Sequence, residues 1–153
     1  MSDPFDLNRF VVAQQGVYGD VVKELGAGAK RSHWMWFIFP QIAGLGHSAM
    51  ARKYAIASRE EATAYLRQSV LGPRLIECTG LVLAVENRSI CQILGSPDDM
   101  KFCSSMTLFA QVAADDAIFR GALERYCAGH LDPATLQILD AAPAGPRSGH
   151  GSA

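Results

Sequence analysis

Several things are scarce or missing in this sequence, and each absence closes off a class of protein. There is no surplus of charge: 14 Lys and Arg stand against 15 Asp and Glu, a net charge of −1. A general nucleic-acid or membrane-surface binder normally carries a basic excess, so neither is expected. Long apolar runs are missing as well. Trp34 to Phe39 is the longest strongly apolar stretch, where a bilayer span needs about 20 residues. Met1 to Asp6 has no basic start leading into an apolar segment, so it does not read as a secretory signal, and a cytoplasmic protein is expected. Cysteines number only four, and Cys78, Cys91, Cys103 and Cys127 are never close enough for a zinc or redox motif. A chain of 153 residues can bury a core without disulfide staples. Reduced, mostly buried thiols are therefore expected. His33, His47, His130 and His150 lack metal-ligand spacing, so no metal and no cofactor is assigned.

Alternation of period two is also absent, as are hairpin turns and internal repeats. What is present is helix punctuation. The 49% hydrophobic content suits one globular domain, and the signals divide it into about seven short helices. Asp3 and Pro4 can open the first, with Asp6 at the capping-box position and Leu7, Phe10 and Val11 as its apolar stripe. The spacing predicts a second helix over Val17–Leu25. Ser58 with Glu61 forms another capping box, and Pro73 suits the first turn of a helix whose Leu71, Leu75, Cys78, Thr79 and Val82 share a face. Ser96-Pro97-Asp98-Asp99 predicts a helix start with Ser96 as its cap, running through Met106, Phe109 and Ala113. Asp115-Asp116 starts the next helix, carrying Phe119, Leu123 and Tyr126 and closed by Gly129. Asp132-Pro133 opens a last one. The expectation is an all-α, compact multihelical single domain over residues 3–140, followed by a flexible tail over 141–153 that has no large apolar residue to bury.

One stretch does not read as plain core. Lys30-Arg31-Ser32-His33 runs into Trp34-Met35-Trp36-Phe37-Ile38-Phe39-Pro40-Gln41 and then Gly44-Leu45-Gly46, and both tryptophans of the protein lie here. If extended, Trp34, Trp36 and Ile38 face one way and Met35, Phe37 and Phe39 the other, as in a segment threading the interior.

The runs SHWMWFIFPQ and GLG, the preceding DLNRFVVAQ, and the later DDMK and SSMTLF resemble domain-of-unknown-function family eighteen-ten, small bacterial proteins often labelled calpastatin-like. The resemblance covers nearly the whole chain up to the tail. It implies a compact multihelical fold and supplies no activity or catalytic residues. This chain departs from it at Gln68-Ser69, where the family often has His-Pro. The stretch from Tyr54 to Glu86 is also distantly similar to helical ADP-ribose glycosidases, without carrying their motifs.

Two function classes follow. In the first, the aromatic stretch and the helix from Lys101 to Thr107 form a pocket for a small anionic ligand. Lys30, Arg31, His33 and Lys101 supply positive charge, Trp36 and Tyr54 stacking, and Gln41 and Ser105 hydrogen bonds. A phosphorylated or nucleotide-like ligand suits these groups. If the protein is an enzyme, glycosidic cleavage of an ADP-ribose derivative is the expected reaction, its catalytic residues unknown. Lys101 beside Ser104 and Ser105 could activate a serine nucleophile, or the small residues could simply let helices pack closely. In the second class, the protein is a non-enzymatic interaction or regulatory module and the tryptophans fill the core. The Gly26–Ser32 stretch lacks the phosphate-loop spacing and a preceding strand. Glu60, Glu61, Glu77 and Glu86 show no paired-carboxylate spacing.

Overall fold

The computed structural model describes residues 3–141. The chain forms ten helices over these residues: α1 (Asn8–Gln14), α2 (Tyr18–Gly26), α3 (Met35–Ile38), α4 (Ala49–Lys53), α5 (Arg59–Arg67), α6 (Leu71–Ala84), α7 (Ile90–Leu94), α8 (Asp98–Val112), α9 (Ala117–Tyr126) and α10 (Pro133–Ala141). Seven of them are at least seven residues long, and these are the seven that capping signals pick out. The other three are single turns, too short to show a period. No strand occurs among the described residues; an isolated parallel bridge joins Ile42 to Ile56. The expected tail lies outside the described residues beyond Ala141, which ends α10.

The core is organised around α8. Phe102, Ser104, Ser105, Met106, Thr107, Leu108, Phe109 and Ala110 are all buried there, and a helix covered on every side must be central. Helices α5, α7, α9 and α10 pack on it, while α6 packs on α2, α5 and α9. Phe109 sits between Tyr65 of α5 and Phe119 of α9, at 5.4 and 6.0 Å between ring centres. Phe102 meets Phe39 edge-on at 5.1 Å. Each such fully buried ring contributes about 1.5–3 kcal/mol. The predicted face of α6 is the one that is buried, with Leu71, Leu75, Cys78, Thr79 and Val82 all inside.

Local chemistry corrects four expectations. Helix α1 does not begin at Pro4. Asp3 does cap, but its carboxylate accepts from the N–H groups of Leu7 and Asn8, so a separate turn precedes the helix and Asp6 takes a φ of +52° instead of a capping-box position. Ser96 does not cap α8; Pro97 holds that place with no side-chain hydrogen bond. The Trp34 to Phe39 stretch is not extended. It is the one-turn helix α3, which buries Met35, Phe37 and Ile38 while leaving Trp36 half-exposed. A run of apolar residues has no polar member to mark a period, so alternation could not decide between strand and helix. Finally, Cys103 and Cys127 are joined in a disulfide, and only Cys78 and Cys91 are free. Four residues connect α8 to α9, so the two fold back as a hairpin, which brings positions 24 apart to a Cα separation of 6.0 Å.

Candidate functional site

The loop between α2 and α3 is pinned by one carboxylate. Glu24 accepts hydrogen bonds from the backbone N–H groups of Arg31 (2.8 Å) and Ser32 (3.0 Å), from the Ser32 hydroxyl (2.6 Å) and from Trp34 Nε1 (2.9 Å). Burial pushes its carboxyl upward, but these donors outweigh it and hold the group at about 2 against an ordinary 4.5. Trp34 is thereby fixed in the core and Trp36 is left at the surface. Nothing in the sequence distinguished Glu24 from other helix glutamates.

Above Trp36 the start of α8 meets this loop. Lys30 Nζ lies 3.0 Å from Asp98 Oδ2 and 5.1 Å from the centre of the Trp34 ring. Lys101 Nζ lies 3.7 Å from Asp98 Oδ1 and 5.4 Å from the Trp36 ring. Asp98, expected only as a helix-start acid, therefore bridges both lysines. A groove of about 290 Å³ opens here, lined by Lys30, His33, Met35, Trp36, Ser96, Pro97 and Asp98.

The two lysines are not equivalent. The Lys30 side chain is 8% exposed and its backbone N–H donates to the Ile93 carbonyl at 2.8 Å, so it is locked. Lys101 is 27% exposed and its pairing is long; such a contact is worth under about 1 kcal/mol. Lys101 can leave Asp98 for a ligand at small cost, whereas Lys30 cannot.

Of the eight residues expected to form the site, Lys30, His33 and Trp36 line this groove, and Lys101 lies next to it over the Trp36 ring, paired with Asp98. Arg31 is close in sequence with an exposed side chain. Gln41 and Tyr54 lie behind Trp36, lining a small cavity of about 20 Å³ that Trp36 also borders. Tyr54 is 7% exposed, packed between Phe10 and Phe37 at 5.7 and 5.4 Å, so it is a core residue with no free face to stack a ligand. Ser105 is fully buried in α8, its Oγ without a hydrogen-bond partner among the described residues.

No activated serine is built among the described residues. Lys101 pairs with Asp98, and Ser104 donates to Met100 O and Asp132 Oδ2. Glu61 anchors Arg9 and the Ala57 N–H, and Glu77 accepts from the Tyr18 hydroxyl. Gln68 caps α6, its Oε1 accepting from the N–H groups of Val70 and Leu71. No group of three or more His, Cys, Asp or Glu side chains converges to hold a metal among the described residues, and no helix there is long and apolar enough to cross a membrane.

The profile of the family described as protein of unknown function (DUF1810) matches residues 4–139. The chain belongs to that family. Among solved structures it is similar to the conserved hypothetical protein Rv1873 from Mycobacterium tuberculosis, with a TM-score of 0.90 and 56% identity over 92% of this chain and 100% of that one. No curated protein matches it. The DUF1810 match spans one all-α domain, whose fold this neighbour shares.

Proposed function

We propose that the groove beside Trp36 binds a small phosphorylated, nucleotide-like molecule in a bacterial cytoplasm. One observation carries the reading: a half-exposed tryptophan borders an open groove that also holds His33, with a loosely paired lysine, Lys101, over its ring. A tryptophan face stacks a base, and a freed ammonium beside an imidazole suits a phosphate. If the bound molecule is also cleaved, glycosidic cleavage of an ADP-ribose derivative fits best. Asp98 lines the groove as a carboxylate able to stabilise positive charge developing at the sugar carbon, with His33 beside it as a proton carrier.

Asp98 also supports a second reading. By pairing with Lys30 it ties the aromatic loop to α8, a structural task that a non-enzymatic interaction module would need as much as a binding protein. Thermal shift with nucleotides, NAD and ADP-ribose separates the two. A ligand at 100 times its Kd adds about 2.7 kcal/mol, which raises the Tm of a domain this size by roughly 5–10 °C. The binding reading expects Lys101→Ala and His33→Ala to keep the unliganded Tm and lose that rise. No rise with any of these ligands at millimolar concentration, together with a large loss of stability in Trp36→Ala, would leave the interaction module standing instead.

A further inference from the structure

A second groove lies beside the first turns of α8, at Asp99, Met100 and Cys103, and shares no lining residue with the groove at Trp36. It encloses about 500 Å³, and both sulfur-bearing residues of the Cys103–Cys127 disulfide line it. Ile90, Met100, Tyr126 and Leu131 give it an apolar wall, with Met100 69% exposed. Asp99 and Asp132 add two carboxylates and His130 an imidazole. We propose that this disulfide is a thiol–disulfide exchange site whose groove admits small neutral or cationic thiols in preference to anionic ones.

Three observations converge on it. The bond is not needed as a staple. Helix α8 already packs against α9, and the loop that follows Cys127 is tied to α8 by Thr107 Oγ1, which accepts from the Asp132 N–H at 2.9 Å, and by Ser104 Oγ, which donates to Asp132 Oδ2 at 3.1 Å. A domain with this much core does not depend on cross-links. The bond is also placed at a groove wall, where both cysteines are partly exposed, and not in the interior. Finally, Cys127 sits where α9 ends, followed by Ala128 and Gly129 at φ of +56° and +73°. Cys103 lies within α8, held on both sides by turns of helix.

These positions give the direction of exchange. The incoming thiolate attacks Sγ of Cys127; the S–S bond breaks, and its electron pair leaves on Sγ of Cys103, which takes a proton from solvent. Cys103 is the leaving group because a thiolate released on Cys127 would face the negative end of α9, whereas Cys103, in the second turn of α8, lies clear of any helix C-terminus. A second thiol then attacks the ligand sulfur of the mixed disulfide. It releases the Cys127 thiol and the oxidised ligand, so two thiols are oxidised as one protein disulfide is reduced.

The test uses full-length Cys91→Ser protein, which removes the other exposed thiol. Burial pushes the remaining Cys78 thiol up to about 12, so it stays silent. Thiol titration in denaturant must first find one free thiol per chain; three would mean the pair is not oxidised and would overturn the proposal. Reduction of the folded protein at pH 8 is then timed with cysteamine, mercaptoethanol and thioglycolate. Each rate is divided by that thiol's rate on an unstructured disulfide. The expected order is cation, neutral, anion, spanning about threefold to tenfold and collapsing at high salt. Peptide mass mapping after brief cysteamine treatment, an acid quench and cleavage at acid pH should place the adduct on Cys127. Reduction only after unfolding, rates blind to thiol charge, or an adduct on Cys103 would each overturn it.

Discussion

Replacing Glu24 tests the anchoring of the aromatic loop through its pH dependence. Glu24→Gln keeps the shape and an oxygen for Arg31, Ser32 and Trp34 but removes the charge. The wild-type carboxyl titrates at about 2 in the folded protein and near 4.5 in the unfolded chain. A depressed folded value means that its contribution is complete above about pH 4.5 and drains away as pH falls toward 2. Because Glu24 is only half-buried, solvent screening reduces that contribution to about 1–2 kcal/mol. Urea denaturation of both proteins at steps from pH 6 to pH 2.5 should show the wild type more stable by that amount at pH 6, the gap narrowing steadily below pH 4.5. Glu24→Ala should cost more, about 2–4 kcal/mol, because it strands Trp34 Nε1 in the core. A wild-type to Gln gap that stays constant with pH would refute the account, since a mere packing effect has no proton linkage.

Other substitutions test separate parts of the fold. Gly72→Ala would put a Cβ 2.0 Å from the Leu66 carbonyl oxygen, so a loss of about 2–4 kcal/mol is expected by chemical denaturation. Asp132→Ala removes the acceptor for the Ser104 hydroxyl and for the N–H and hydroxyl of buried Thr135; a loss of about 2–3 kcal/mol is expected, and hydrogen exchange should show α10 fraying first. Arg9→Lys should cost about 2–4 kcal/mol despite keeping the charge. One ammonium cannot replace a guanidinium that donates to the carbonyls of Phe5, Asp6, Lys53 and Ala55 and to Glu61. An unchanged midpoint would show that the fork geometry is irrelevant there.

What could be read in advance divides along the range of the interactions. The face of α6, the stop after α9 and the start of α10 were legible because a turn of helix advertises itself within four residues. Asp132, for instance, accepts from the Thr135 N–H as its position suggests. Single-turn helices such as α3 escaped because four apolar residues fit either period. Three of the seven groove residues, Lys30, His33 and Trp36, were legible as types, from a lysine-arginine-histidine run beside two tryptophans. Their division was not. Which tryptophan turns inward depends on Glu24, ten residues earlier, and which lysine is locked depends on Asp98, far along the chain. Tyr54 was misread for the same reason, its ring being claimed by Phe10 and Phe37. The Cys103–Cys127 bond was invisible because a spacing of 24 acquires meaning only once α8 and α9 are folded back on one another.

The unequal placement of the two tryptophans gives the molecule a built-in optical probe. Trp34 and Trp36 are its only indoles; one is sealed at 1% exposure while the other is half-open to solvent. Their emission should therefore combine a blue component, shifting only on global unfolding, with a redder one that quenchers reach from the groove. Iodide should extinguish just the redder part, and any molecule entering beside Lys101 should shield it. Occupancy and unfolding can then be followed separately in unlabelled protein.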